Sequence, residues 1–458
     1  MKLIRLALPV YVELLTAVVA VGLIDLFWVS GLGSHAVAAV TVATTTEYLA
    51  LGVILAVSTG TTVIVGRRDG KQPITPVIRT AWLLCAAVSL AVAVPGVLLR
   101  EPLARLFTDD AVTAGLTADF YLISLAGIPI FFAQSLTDGI FKGRGDTTTP
   151  MRAALLCNVL VIALDPLFIY GYGLNLGVEG AAAATVVARG ITFAVTLALL
   201  LRRIPRDSRA SANHADALDI IRTGLPMSGD FLARSLVGML LVEVVGGFGV
   251  VTLAGYGIGM KIMLAGTMAF YALRQAAMIH TARSGQAGPA LGYGLAAGLI
   301  VSVVLNAIAV PVAPLFADDP AVTAEAVSFL RWMTLYLIPF GGLIAMGGVL
   351  QANGRGSRLL GSTLTGFAVQ LPLAYALSSA IGVTGVWLAM TTGATLTVVL
   401  AASFGRPSVP GLTSPGPEGR PSRLSLRAWR WRRGAGPSSV PGRAPRSTRT
   451  AAAQRSGR

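Results

Sequence analysis

The stretch LFTDDAVTAGLTADFYLISLAGIPIFF, residues 106–132, returns about 209 residues later as LFADDPAVTAEAVSFLRWMTLYLIPFGG, residues 315–342. Each copy opens on Leu-Phe and a pair of aspartates and then runs into an apolar segment. Nearly the same offset relates GIFKGRGDTTTP from Gly139 to GVLQANGRGSRL from Gly348, Pro166 to Pro372, and LGVEGAA from Leu176 to IGVTGVW from Ile381. Near the start of each half, LALP ending at Pro9 matches TGLP ending at Pro226, and Gly31 and Gly247 follow nearly in register. The chain is therefore one unit written twice.

The unit is a bundle of membrane spans. Hydrophobic residues make up 54% of the 458 residues and charged residues only 12%, about half the charged share of an ordinary soluble domain. The mean hydropathy is +0.72. Apolar runs long enough to cross a bilayer recur from end to end. They place spans near 7–29, 38–65, 80–99, 118–141, 153–172, 179–201, 224–246, 252–280, 288–311, 325–350, 359–380 and 384–404. The first run contains Glu13 and Asp25, lacks a small-residue cleavage site and continues into the body of the chain, so it reads as a span rather than a signal peptide. The fold class expected is all-α integral membrane, with twelve transmembrane helices in two six-helix lobes related by pseudo-two-fold symmetry. The boundaries are residues 1–201 for the first lobe, 202–223 for a polar, basic linker, 224–404 for the second lobe and 405–458 for a tail.

Charge locates the chain in the membrane. The loops assigned to the inside hold 17 Lys and Arg, from Lys2 and Arg5 to Arg355 and Arg358, and the outside loops hold only Arg100 and Arg105. Retained loops collect Lys and Arg on the cytoplasmic side, so the expectation is a multi-pass cell-membrane protein with both termini cytoplasmic. The formal net charge of +15 is not a nucleic-acid signature, because the tail from Arg406 to Arg458 holds 12 arginines against Glu418 and so +11 of it. Rich in Pro, Gly, Ser and Arg, that tail is expected to be disordered. Membrane lipid is its expected partner, with Trp429 and Trp431 at the interface; a tail without function fits the composition equally well.

Several chemistries are excluded or unsupported. GRRDGKQ near Gly66 lacks the spacing of a phosphate-cradling loop, so the energy must come from an ion gradient or passive flux. His35, His214 and His280 are scattered, and Cys85 and Cys157 sit within apolar runs, so no metal, disulfide or cofactor is expected. The RGD at Arg144–Asp146 reads as a turn in an inside loop. The work expected is transport of small organic solutes, not enzymatic catalysis.

Ionisable groups at lipid depth are costly and therefore candidate functional residues. Asp165 lies about 12 residues into its span, roughly 18 Å at 1.5 Å per residue and so near mid-bilayer. Pro166 follows it and frees a backbone carbonyl one turn earlier; Asn158 lies two turns back on the same face. A polar kink packed between helices is the plainer reading of the same residues. Asp25, nearer the outer end of the first span, joins Asp165 as a candidate proton or sodium site. Glu47, Asp138 and Glu243 are the candidate substrate contacts. Asp230, Arg234, Glu243 and Lys261 are also able to neutralise one another, and Arg189, Arg274 and Arg331 read as counter-charges or snorkelling side chains.

GLIDLFWVSGLG around Asp25, GRGDTTTP after the fourth span and LDPLFIYGYGLNLGVEGAAAAT from Leu164 to Thr185 resemble the multidrug and toxic compound extrusion (MATE) transporters, and most of all their DNA-damage-inducible branch. The resemblance covers residues 1 to about 404. It implies a twelve-helix antiporter, expected as a monomer, that exports amphipathic and often cationic compounds against protons or sodium. The family's aspartates map onto Asp25 and Asp165, its sixth-helix threonine onto Thr185, and rearrangement of the first helix onto a hinge at Pro9, with Pro166 as a second hinge. Val161 stands where the family has an asparagine, and Asn158 is the substitute nearby. The segment ALRQAAMIHTARSGQAG also departs from the family's polar, glycine-rich pattern after the eighth span. A flippase for lipid-linked oligosaccharide, sharing the superfamily fold, is the alternative within transport, and an enzyme acting on a prenyl carrier is the alternative outside it. The flippase would favour a basic central cavity and the enzyme aspartate pairs in inside loops.

Overall fold

The structure, a computed structural model, describes residues 2–108, 110–170, 175–203, 211–316 and 319–405. The basic tail and residues 204–210 of the expected linker lie outside that set.

All regular structure among the described residues is helical. The first span comprises α1 (Lys2–Leu14), a π-helical segment (Leu15–Ala20) and α2 (Val21–Ser30). Then follow α3 (Ser34–Arg68), α4 (Thr75–Leu98), a short α5 (Arg100–Arg105), α6 (Ala111–Ala126) and α7 (Ile128–Gly143). The half closes with α8 (Thr148–Ile169) and α9 (Val178–Arg203). The second half contains α10 (His214–Gly246), α11 (Val250–Ser284), α12 (Ala290–Val312), α13 (Pro320–Ala352), α14 (Gly356–Ile381) and α15 (Val383–Gly405). Nine of these described helices are each long and apolar enough to cross a membrane, and α6 with α7, bent by 46°, make a tenth. The broken first span and the charge-bearing α10 complete twelve.

The repeat has a local physical basis. Asp110 and Asp319, the second aspartates of the two LF-x-DD motifs, are both N-caps, at φ −73°, ψ 116° and φ −72°, ψ 116°. Asp110 accepts from the Thr113 amide at 2.9 Å and Asp319 from the Ala321 amide at 2.8 Å, satisfying donors that a helix start leaves open. Gly33 and Gly249 precede α3 and α11 at φ 101° and 106°, a region that only glycine enters readily. One set of turn residues thus starts corresponding spans in both halves. Two main hydrophobic cores form, one from first-half residues from Val29 onward joined by Ile220 of α10, and one from second-half residues between Val237 and Met390.

The halves meet where α3 packs on α10 and α1 on α11. Along the α3–α10 seam, Ser228 donates to the Gly52 carbonyl, and Gly60 and Gly224 let the two backbones touch. Side chains such as Leu83, Leu90 and Leu98 of α4, and Leu299, Ile300 and Val303 of α12, are exposed on the outside, as a lipid solvent requires.

Three features of the structure lie outside the sequence reading. The first span begins at Lys2, with Pro9 inside α1, and its π-helical distortion lies at Leu15–Ala20. The fourth span, expected as continuous, bends at Gly127 beside Pro129. The expected linker 202–223 includes helix, because Asn213 caps α10 by accepting from the Ala215 amide at 3.1 Å.

Candidate functional site

A cavity of ≈ 800 Å³ lies between the halves, well within the size of pockets that enclose drug-sized ligands. Its walls come from α1, α2, α3, α7, α8 and α9 on one side and mainly from α11 on the other. Apolar side chains dominate, with charged groups set among them.

On the first-half wall, Asp25 of α2 is 6% exposed and Asp165 of α8 is fully buried. The two carboxyls are near enough to interact, and neither oxygen of Asp165 has a hydrogen-bond partner among the described residues. Thr185 of α9 donates to Asp25 Oδ1 at 3.5 Å. Arg189, one turn further on α9, approaches Glu47 of α3 at 3.9 Å and lies 4.6 Å from the Phe131 ring centroid. Asp25, Glu47, Ser124, Thr185 and Arg189 also line a small cavity of ≈ 20 Å³, about the space of one water or one dehydrated cation.

Towards the end of the bundle that carries Lys2, Lys142 donates to Glu13 Oε1 at 2.6 Å. Asp138 accepts from Gln134 at 2.8 Å, and Gln134 in turn accepts from Thr196 at 3.0 Å. Asn158 donates to the Thr16 carbonyl at 3.1 Å, so its amide is tied to the π-helical segment. It lies seven residues from Asp165 along α8, roughly 10 Å at 1.5 Å per residue. Pro166 sits in the last turn of α8, where its carbonyl accepts from the Tyr170 amide at 3.4 Å.

In the second half, Asp230 of α10 binds Arg234 at 3.1 Å and the cavity-lining Arg274 of α11 at 3.2 Å, and accepts from Thr363 at 2.7 Å. Glu243 is exposed on α10, between the buried Leu241 and Val245, and is not among the residues lining the cavity. Positions two apart on a helix point to nearly opposite sides. Arg331 is also exposed. In the turn before α8, Asp146 binds the amides and hydroxyls of Thr148 and Thr149, and Arg203 at 2.7 Å. Burial pushes its carboxyl up, but those donors outweigh burial and hold it at about 2. The RGD is thus a helix-starting turn.

Sequence reasoning found Asp25, Asp165, Thr185, Glu47 and Asp138, which the structure places in or beside the cavity. The pairing of Glu13 with Lys142, which lies inside α7, is what sequence reasoning misses. Their signal was present: Glu13 and Asp230 each lie four residues after the repeated Pro9 and Pro226, so the acid recurs at the same register. Among the described residues no cluster of His, Cys, Asp and Glu could hold a metal ion.

The family model described as MatE matches residues 9–167 and again 226–376. A probable multidrug resistance protein of Bacillus subtilis is 23% identical over 388 residues, spanning 80% of this chain and 85% of that protein. A protein of Shewanella oneidensis named an FAD transporter is 25% identical over 420 residues, spanning 85% and 90%. Among solved structures, the Vibrio cholerae MATE transporter VcmN in its bent form superposes with a TM-score of 0.81 at 19% identity over 88% of this chain and 95% of that one. A MOP superfamily transporter of Pyrococcus furiosus gives 0.80 at 23% over 88% and 94%. None of these relatives is named as a flippase. Two matched halves, twelve helical spans and a cavity between lobes lead to one conclusion: the chain belongs to the MATE family, as a multi-pass membrane transporter and not an enzyme.

Proposed function

We propose that this protein exports amphipathic organic solutes through the cavity between its lobes, in exchange for protons or sodium taken up at Asp25 and Asp165. The observation that carries this is the fully buried Asp165 carboxyl, without a hydrogen-bond partner and opposite a second acid. A bare pair of carboxylates there is unfavourable by desolvation and by repulsion. A proton or a cation between them relieves both, and Thr185 is within reach of the same site. Glu47, held by Arg189, and Asp138 face the cavity as solute contacts. In this reading the first span rearranges at Leu15–Ala20, a π-helical break of the kind common at functional positions, with Asn158 gripping it. The basic loops put both termini on the cytoplasmic side, and the acids of the first and fifth spans favour the DNA-damage-inducible branch. The names of the relatives range from multidrug resistance to FAD, so membership alone leaves the solute open.

Proteoliposomes loaded with ethidium and given an inward proton or sodium gradient test this. Wild type exports the dye with the gradient, and Asp25→Asn and Asp165→Asn each abolish the gradient-driven part. Wild-type rates in both variants overturn the assignment.

A further inference from the structure

The two walls of the cavity differ in sign. On the first-half wall Lys142 neutralises Glu13 and Arg189 approaches Glu47, which leaves Asp25 and Asp138 as excess acids. Behind the second-half wall, to which Arg274 belongs, one carboxylate, Asp230, serves two guanidinium groups. Arg234 grips it with its Nε and Nη2 at 3.2 and 3.1 Å, while Arg274 reaches it only through Nη1 at 3.2 Å. The wall therefore carries an excess positive charge, and Lys261 of α11, exposed and lining the same cavity, has no ion pair among the described residues.

The free groups are specific. Arg274 is 3% exposed, lines the cavity, and its Nε and Nη2 have no partner. Those two donors form the edge of a guanidinium that matches both oxygens of a carboxylate or phosphate. Gln351, 2% exposed and lining the same cavity, has neither its amide nitrogen nor its carbonyl oxygen bonded. Buried polar groups are rarely left so in pairs. Gly347 makes the space: a side chain there would bring a Cβ to 3.3 Å from the Arg274 Nε. The repeat shows what changed. Gln351 of GVLQANG stands at the register of Lys142 in GIFKGRG, and in the first half that position is filled by a lysine already neutralised by Glu13.

We infer that Arg274 and Gln351 form an acid-group subsite on the second-half wall, so that preferred solutes carry a carboxylate or phosphate besides their apolar or cationic part. The edge and the amide are closed off from solvent in this conformation, so the acid group reaches them when the wall opens during transport. The inference rests on the cavity being the solute site.

The test uses full-length protein in nanodiscs and two probes, a rhodamine bearing a free benzoate and the methyl ester of the same dye, read by fluorescence anisotropy. Wild type binds the acid about tenfold more tightly than the ester, a difference worth roughly 1.4 kcal/mol. Arg274→Gln brings that ratio to about one, Arg274→Lys keeps part of it, and Gln351→Leu lowers it. Equal binding of the two dyes by wild type, or an equal loss of both in Arg274→Gln, overturns the subsite. Gradient-driven export of the ester by proteoliposomes in that case leaves the transport reading standing. Absence of binding and export for both dyes overturns both.

Discussion

Replacing Asp230 with alanine removes the acceptor of four hydrogen bonds and leaves two guanidinium groups facing each other. Arg274 is 3% exposed and the Arg234 side chain 16%, so bulk water cannot take over the role of the carboxylate. Breaking a buried ion pair by deleting one partner costs about 3–5 kcal/mol, and here one deletion unpairs two cations. Thr363→Val removes the 2.7 Å bond to Asp230 and the 3.3 Å bond that Thr363 accepts from Arg234; a hydrogen bond to a charged group is worth about 1.5–3 kcal/mol. Arg274→Gln leaves Asp230 bound by Arg234 and Thr363 and is milder than Asp230→Ala. The double variant Asp230→Ala/Arg274→Gln recovers stability relative to Asp230→Ala, because one uncompensated cation is gone, and the shortfall from additivity measures the coupling. Equilibrium unfolding in mixed detergent–SDS micelles reads all four. A loss below about 1 kcal/mol in Asp230→Ala, the range of exposed ion pairs, together with strict additivity, would refute the reading of this cluster as a desolvated network.

Two further outcomes follow from packing and capping. A Cβ at Gly224 would overlap the Ala56 carbonyl, whereas one at Gly238 of the same helix meets nothing within 4 Å. Gly224→Ala should lose about 1–3 kcal/mol by overpacking and Gly238→Ala should gain about 0.5–1 kcal/mol, both read by the same unfolding assay. Asp146→Ala should lose about 1 kcal/mol of stability by loss of its capping bonds. Because the folded carboxyl sits at about 2, below its ordinary value of about 3.9, its charge stabilises the fold fully above the ordinary value. That contribution fades as the pH falls towards 2. The gap between wild type and Asp146→Ala, measured by thermal unfolding, should therefore be constant from pH 7 to about 5 and close near pH 2.

Much of the frame was legible because it rests on local chemistry that repeats. The LF-x-DD motifs were recognisable as a repeat without knowing that Asp110 and Asp319 are caps. The break at Leu15–Ala20 was not legible: LTAVVA carries no proline or glycine, and a π turn there shows itself only once Asn158 is seen holding the Thr16 carbonyl. Asp25 and Asp165 were legible as costly charges in apolar runs, but for Glu243, exposed on α10, a span's hydropathy does not tell which side of the helix faces the lumen. Arg274 and Gln351 were illegible for a related reason. Their meaning lies in which of their atoms lack a partner, and for Arg274 that depends on Asp230 of α10 and Gly347 of α13, both far from it along the chain.

The central claim is an exchange of solute for an ion at Asp25 and Asp165. Proteoliposomes containing the protein, a trapped pH indicator and no sodium are pulsed with ethidium, and the pulse is repeated with sodium and a trapped sodium indicator. The account predicts movement of one of the two ions opposite to the dye, in fixed proportion to it, abolished by Asp165→Asn. Dye flux with neither ion moving, or ion exchange unchanged in Asp165→Asn, would contradict it.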